Sequence, residues 1–346
     1  MFDILLVPFI LSMFLSINMG GSGTAPAFAS AFGANLIRKD LIPGLFGIFV
    51  FWGAVLAGKK VVLTIGQEIL APEIMSLTLT SIILFSVSLS LLIANILMVP
   101  QSTSQSTVFA LVGPAIYFDK LNLKVLFINI IPTWFVMPIL AFILTYFSAV
   151  ILYKWCSKYS IIKTNYNTIT AHPILKFIAI FACCYVAFAI GANNVANASG
   201  PIASMISNEL NIQVYSDKFL IIMIVSTLMI APCFTIGSSI FGAGTTTTIG
   251  KDIIDFGPAG AVLVSMVTAS LLLAASLFKG IPTSLVQMSS GAIIALGIVK
   301  VGHKSIFKKK AIYRLLVIWI VSTYHCFFVL SFILTWVVDS VGLLTF

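Results

Sequence analysis

The stretch 191-GANNVANASGP-201 follows directly on the apolar segment 173–190 and sets three asparagines, a serine, two glycines and a proline where an apolar helix would run on. In the hydrocarbon region of a bilayer every backbone N–H and C=O needs a partner. Asn- and Gly-rich backbone at that depth is tolerated only where protein or a water-filled cavity surrounds it. The stretch therefore reads as a site on an interrupted helix. The plainer alternative is that its small residues only let two helices approach closely.

The rest of the chain fits a bilayer. Of 346 residues 60% are hydrophobic and 8% charged, and the mean hydropathy is +1.13, values that belong to polytopic membrane proteins. The first apolar segment, 4–17, follows Asp3 with no basic residue before it and is expected to be a retained span rather than a cleaved leader, with the mature chain starting at Met1. The net charge of +9 lies in short basic clusters between apolar runs, the pattern that orients a protein in a membrane. Five cysteines form no CxxC, so neither a disulfide framework nor a metal site is indicated. No cofactor is expected.

With roughly 20 residues per crossing, about ten crossings are expected, at 4–37, 41–57, 76–98, 101–118, 125–151, 173–206, 219–238, 259–278, 283–299 and 311–337. The halves share landmarks in order. Gly20–Ala27 (GGSGTAPA) corresponds to Gly191–Ala198 (GANNVANA), Thr64-Ile65-Gly66 to Thr248-Ile249-Gly250, and Pro100-Gln101-Ser102 to Pro282-Thr283-Ser284, at offsets of 171, 184 and 182. This points to an internal duplication. Repeats with an odd number of spans must lie in opposite orientation, as in many secondary transporters.

The expected fold is thus all-α, two inverted five-span repeats with interrupted helices: 1–153, a cytoplasmic linker 154–172, and 173–346. Charge agrees. The segment 300–314 holds six basic residues and no acid, whereas its counterpart 119–124 holds two basic residues and one acid. That places 300–314 in the cytoplasm and both termini outside, with Lys59-Lys60 as the one dissenting cluster.

GANNVANA resembles the GANDVANA signature of the inorganic phosphate transporter family, whose members carry it once per half together with a P-x-S-T-T-H type motif. The matching motifs here are 100-PQSTSQ-105 and 282-PTSLVQ-287. The resemblance covers essentially the whole chain and implies a tetrahedral oxyanion bound between two inverted repeats. Where the family has an aspartate in each signature, this chain has Gly23 and Asn194, and Ser22 and Pro26 replace the first signature's asparagines. In this it is closer to the family's sulfate-permease subgroup.

The chemistry of these residues points the same way. Neither signature holds Arg or Lys, so an anion must be held by dipoles: helix N-termini, hydroxyls and asparagine amides. A carboxylate only accepts hydrogen bonds and suits a protonated phosphate, whereas an amide in its place donates to a fully ionised anion. The candidate substrate-binding residues are Ser22, Gly23, Ser102, Thr103, Ser104, Gln105, Asn193, Asn194, Asn197, Ser284 and Gln287. For the hydroxyls the alternative is a bond back to the helix's own carbonyls. His325, inside the last expected span, is a weak candidate for the coupling ion.

The expectation is a symporter in a bacterial inner or plasma membrane that carries sulfate, with protons favoured over sodium as the coupling cation. The alternatives are a phosphate transporter coupled to H+ or Na+ and, from another class, an anion channel. An enzyme is not expected, since the three histidines are scattered with no clustered nucleophile and base. Partners are the lipid bilayer and the ions; no nucleic acid is expected, and homo-oligomerisation is left open.

Overall fold

In the computed structural model residues 2–33, 36–97, 101–158, 173–213, 216–242, 257–306 and 326–342 are described. Their helices are α1 (Phe2–Gly33), α2 (Ile42–Ala57), α3 (Lys59–Leu63, continued by a π-helical turn Thr64–Glu68), α4 (Leu77–Ile96), α5 (Thr103–Tyr117), α6 (Ile131–Lys158), α7 (Pro173–Asn194), α8 (Ala196–Glu209), α9 (Asp217–Gly237), α10 (Gly257–Ala274), α11 (Leu285–Val301), α12 (His303–Ile306) and α13 (Cys326–Ser340). Starts are set by serine caps. Ser76 Oγ accepts from Leu79 N–H ahead of α4, and Ser216 Oγ from Phe219 N–H ahead of α9, each satisfying one of the N–H groups a helix start leaves orphaned. Among the described residues the only extended pairing is a single bridge between Leu70 and Leu121.

Among the described residues seven helices are long and apolar enough to cross a membrane, so the chain is an all-helical polytopic membrane protein. The expectation was about ten crossings. Part of the shortfall lies in the two proline-led motifs, where α5 and α11 are 15 and 17 residues long, short of the roughly 20 a full crossing takes. Of the last expected span, only Cys326–Ser340 lies in a described helix; residues 307–325, which include His325 and Lys308-Lys309-Lys310, lie outside the described residues. So do Pro100, Thr248-Ile249-Gly250 and 159–172 of the expected linker.

The signatures do not interrupt their helices as expected. Residues 20–27 lie inside the continuous α1, and the only break near 191–201 is Val195, itself in right-handed helical geometry. The physical reason is burial among protein partners. Every residue from Ala189 to Met205 is buried, and the amides of Asn193 and Asn197 bond to distant helices instead of competing with their own backbone.

Close approach supplies the remaining explanation. A Cβ on Gly20 would run into the carbonyl of Phe234, and one on Gly237 into that of Ile17, where α1 crosses α9. Likewise Gly191 lies against the carbonyl of Val50 and Gly53 against that of Phe188, where α2 crosses α7. Small residues at such crossings let backbones touch and gain dispersion contact that lipid cannot supply. Around these crossings α1 packs on α4 as α7 packs on α10, and α5 on α13 as α11 on α6. Large apolar side chains of α6, such as Phe135, Ile139 and Phe147, face outward, the expected surface toward lipid.

Candidate functional site

α5 and α11 begin alike. Ser102 Oγ accepts from Gln105 N–H and Ser284 Oγ from Gln287 N–H, each at 3.4 Å, so two N-capped helix starts recur 182 residues apart. The second is approached through Gly280, at φ +64°, a left-handed conformation that glycine adopts without steric cost. A Cβ there would also press on Lys60. The Pro282 carbonyl then accepts the indole N–H of Trp134 at 2.9 Å.

Asn193 ties these starts together. Its Oδ1 accepts from Ser104 Oγ (3.2 Å) and from the backbone N–H of Thr283 (3.2 Å), and its Nδ2 donates to Ser276 Oγ (2.9 Å) and the Ile281 carbonyl (3.1 Å). Asn197 Nδ2 also donates to Ser104 Oγ at 3.3 Å. Its Oδ1 is buried without a partner among the described residues, as is Thr283 Oγ1. Gln105 and Gln287 exchange reciprocal amide hydrogen bonds of 3.2 and 3.1 Å.

In front of this scaffold lies a cavity of about 20 Å³ lined by Ser22, Gly23, Pro26, Gln101, Ser102, Thr103, Ile190, Asn194, Thr283, Ser284, Leu285 and Val286. That is room for about one water. Of the sequence candidates, Ser22, Gly23, Ser102, Thr103, Asn194 and Ser284 line it. Ser104, Gln105, Asn193, Asn197 and Gln287 do not; they hold the lining from behind. Thr283 and Gln101 line the cavity without having been singled out. Both belong to the quoted motifs, and the signal that marks them is position: each directly precedes a capping serine.

The lining is rich in donors. With their oxygens accepting the cap N–H, Ser102 and Ser284 keep their hydroxyl protons free, and Asn194 bonds to no described side chain. Ser22 Oγ donates to the Met19 carbonyl at 3.1 Å. The first-turn N–H groups of α5 and α11 add two partial positive charges, about +0.5 each. Among the described residues no charged side chain lines the cavity. The arrangement can hold a compact anion by hydrogen bonds without a fixed countercharge. A larger cavity of about 290 Å³, beside Thr24, Lys39, Asp40, Ser238 and Ser239, contains none of the candidates.

Comparison with known proteins matches this picture. Residues 19–330 match the model of the phosphate transporter family. The chain is 32% identical over 325 residues to the sulfate permease CysP of Bacillus subtilis, covering 92% of this chain and 84% of that one. It is 26% identical over 170 residues to the chloroplastic inorganic phosphate transporter 2-1 of Arabidopsis thaliana, covering 49% of this chain and 28% of that one. A solved structure titled "The sodium-dependent phosphate transporter" superposes with a TM-score of 0.78 at 21% identity, covering 98% of this chain and all of that one. These relatives are transporters, not enzymes, and the chain belongs to the phosphate transporter family.

Proposed function

We propose that this chain is a secondary transporter of a tetrahedral oxyanion, sulfate in preference to phosphate, working by alternating access between two inverted repeats. The observation that carries the reading is the cavity where two capped helix starts, one from each half, meet with free hydroxyl donors and no charged side chain. Such a site favours the anion with no proton of its own. A protonated phosphate brings O–H groups that need acceptors, and no carboxylate lines the cavity. The relative named a sulfate permease supports the same choice.

The repeat reading is supported by symmetry of contacts. The Gly20–Gly237 crossing and the Gly191–Gly53 crossing exchange under the offsets of 171 and 184 read from the sequence, and the capped starts exchange under 182. A site on such an interface opens to either face when one repeat rocks against the other.

Bringing a dianion into an inside-negative cell costs roughly 2.3 kcal/mol per charge per 100 mV, so a cation must accompany it. The proton expectation finds little support. No titratable side chain lines the cavity, and His325 lies outside the described residues. A bare cation can be held by neutral oxygens without any titratable side chain, and we take sodium as the coupling ion.

Counterflow in proteoliposomes tests the reading: unlabelled sulfate inside should accelerate entry of labelled sulfate, and an imposed sodium gradient should concentrate it. Flux without counterflow would establish the channel alternative. Concentration by a proton gradient alone would restore the proton.

A further inference from the structure

Both proline-led helices carry the sequence S-x-x-Q at their start, Ser102 to Gln105 and Ser284 to Gln287. In a capping box of this form the serine takes the N–H three residues on, and the glutamine reaches back to the serine's own N–H. Here only the first half forms. The serines accept as expected, but each glutamine reaches across to the other helix, donating to its partner's carbonyl oxygen. Gln105 is 1% exposed and Gln287 3%, so the pair has no water to substitute for either bond.

We infer that Gln105 and Gln287 form one shared clamp that diverts both capping glutamines from their own helices, so that the backbone N–H groups of Ser102 and Ser284 stay open toward the cavity as substrate donors. This deepens the oxyanion reading and rests on it. Neither serine N–H makes a hydrogen bond to a described residue, and both serines line the cavity. The reciprocal pair also links the first turns of the two helices, holding the converging dipoles at one separation. The glutamines are thus positioning residues, not ligands. They act as a unit, because a buried amide that loses its partner is free to fold back and close the N–H of its own cap.

The test is a double-mutant cycle with Gln105→Met, Gln287→Met and the double variant, methionine being close to glutamine in length. KM and maximal rate are measured with whichever oxyanion the wild type carries, so a wrong choice between sulfate and phosphate leaves the cycle readable. Melting temperatures of the purified proteins are read alongside, independent of transport. The clamp predicts that each single variant raises KM by about tenfold with little change in maximal rate, that the double is no worse than either single, and that it melts above them, since no buried amide is then left unpaired.

Losses in KM that multiply would show two independent contacts to substrate and overturn the clamp, as would wild-type KM in all three. If one single variant fails to fold, the other is compared with the double: a KM raised in the single and restored toward wild type in the double, which has no glutamine to fold back, supports the clamp, and a double worse than the single overturns it. The functional reading fails separately, when the wild type carries neither anion; the melting-temperature cycle then still decides whether the two amides act as a pair.

Discussion

Asn194 and Asn193 are neighbours in the signature and face opposite ways. Asn194 lines the cavity with its amide free of described side-chain partners, whereas Asn193 has its amide engaged in four hydrogen bonds that join Ser104, Ser276, Ile281 and Thr283. Different outcomes follow for the two. Asn194→Asp exchanges a donor for a charge that repels the anion; sulfate uptake is expected to fall by about 100-fold or more, while phosphate uptake rises, most at lower pH where the anion carries protons to donate. Unchanged initial rates for both anions would remove Asn194 as the selectivity residue. Asn193→Ala leaves several buried polar groups without partners, at about 1–3 kcal/mol each, and is expected to lower the melting temperature as well as uptake. The corresponding substitution in the other half, Gly23→Asp, is less informative, because a Cβ at Gly23 already comes within 3.2 Å of the Phe46 ring.

At the scale of elements, the starts of α5 and α11 were legible because proline and a capping serine are local signals, read from a few adjacent residues. The continuity of α1 and of α7 into α8 was not. Whether Asn193 breaks a helix depends on partners such as Ser104, 89 residues away, and Ser276, 83 away, which no local pattern reveals. For the same reason Gln105 and Gln287 read in the sequence as substrate ligands, and the reciprocal bond between them, 182 residues apart, is not legible there. Gly20 and Gly191 of the signatures serve close helix packing, as the plainer reading of the stretch allowed, whereas Gly23 lines the cavity. Gly191→Val is expected to force α7 away from the Val50 carbonyl of α2, costing several kcal/mol as overpacking and strain do in tight cores; a melting temperature equal to wild type in detergent would contradict the close crossing. Gly44, with nothing within 4 Å of its Cβ position, is the control, expected to tolerate alanine unchanged.

For the whole molecule, the proposed internal repeat rests on three short landmarks at offsets of 171, 184 and 182, and the paired glycine crossings support it. Its orientation in the membrane rests on charge. The account expects 119–124 outside and the basic end of α11 inside, so in a cysteine-free background Lys120→Cys should react with an impermeant thiol reagent added to intact cells and Lys300→Cys only after the membrane is opened. Labelling of both from the same side would sink the inversion and with it the alternating-access scheme.

The central claim is that a cavity of donors and helix N-termini, with no carboxylate, selects an oxyanion that carries no proton. The most direct measurement is the initial rate of labelled sulfate and labelled phosphate uptake by the purified wild-type protein in proteoliposomes, across pH 6 to 8 at a fixed sodium gradient. The account predicts saturable sulfate uptake that is flat with pH, and phosphate uptake at least about tenfold slower that improves as pH rises and phosphate loses one of its two protons. Phosphate carried faster than sulfate, and faster still as pH falls, would contradict it.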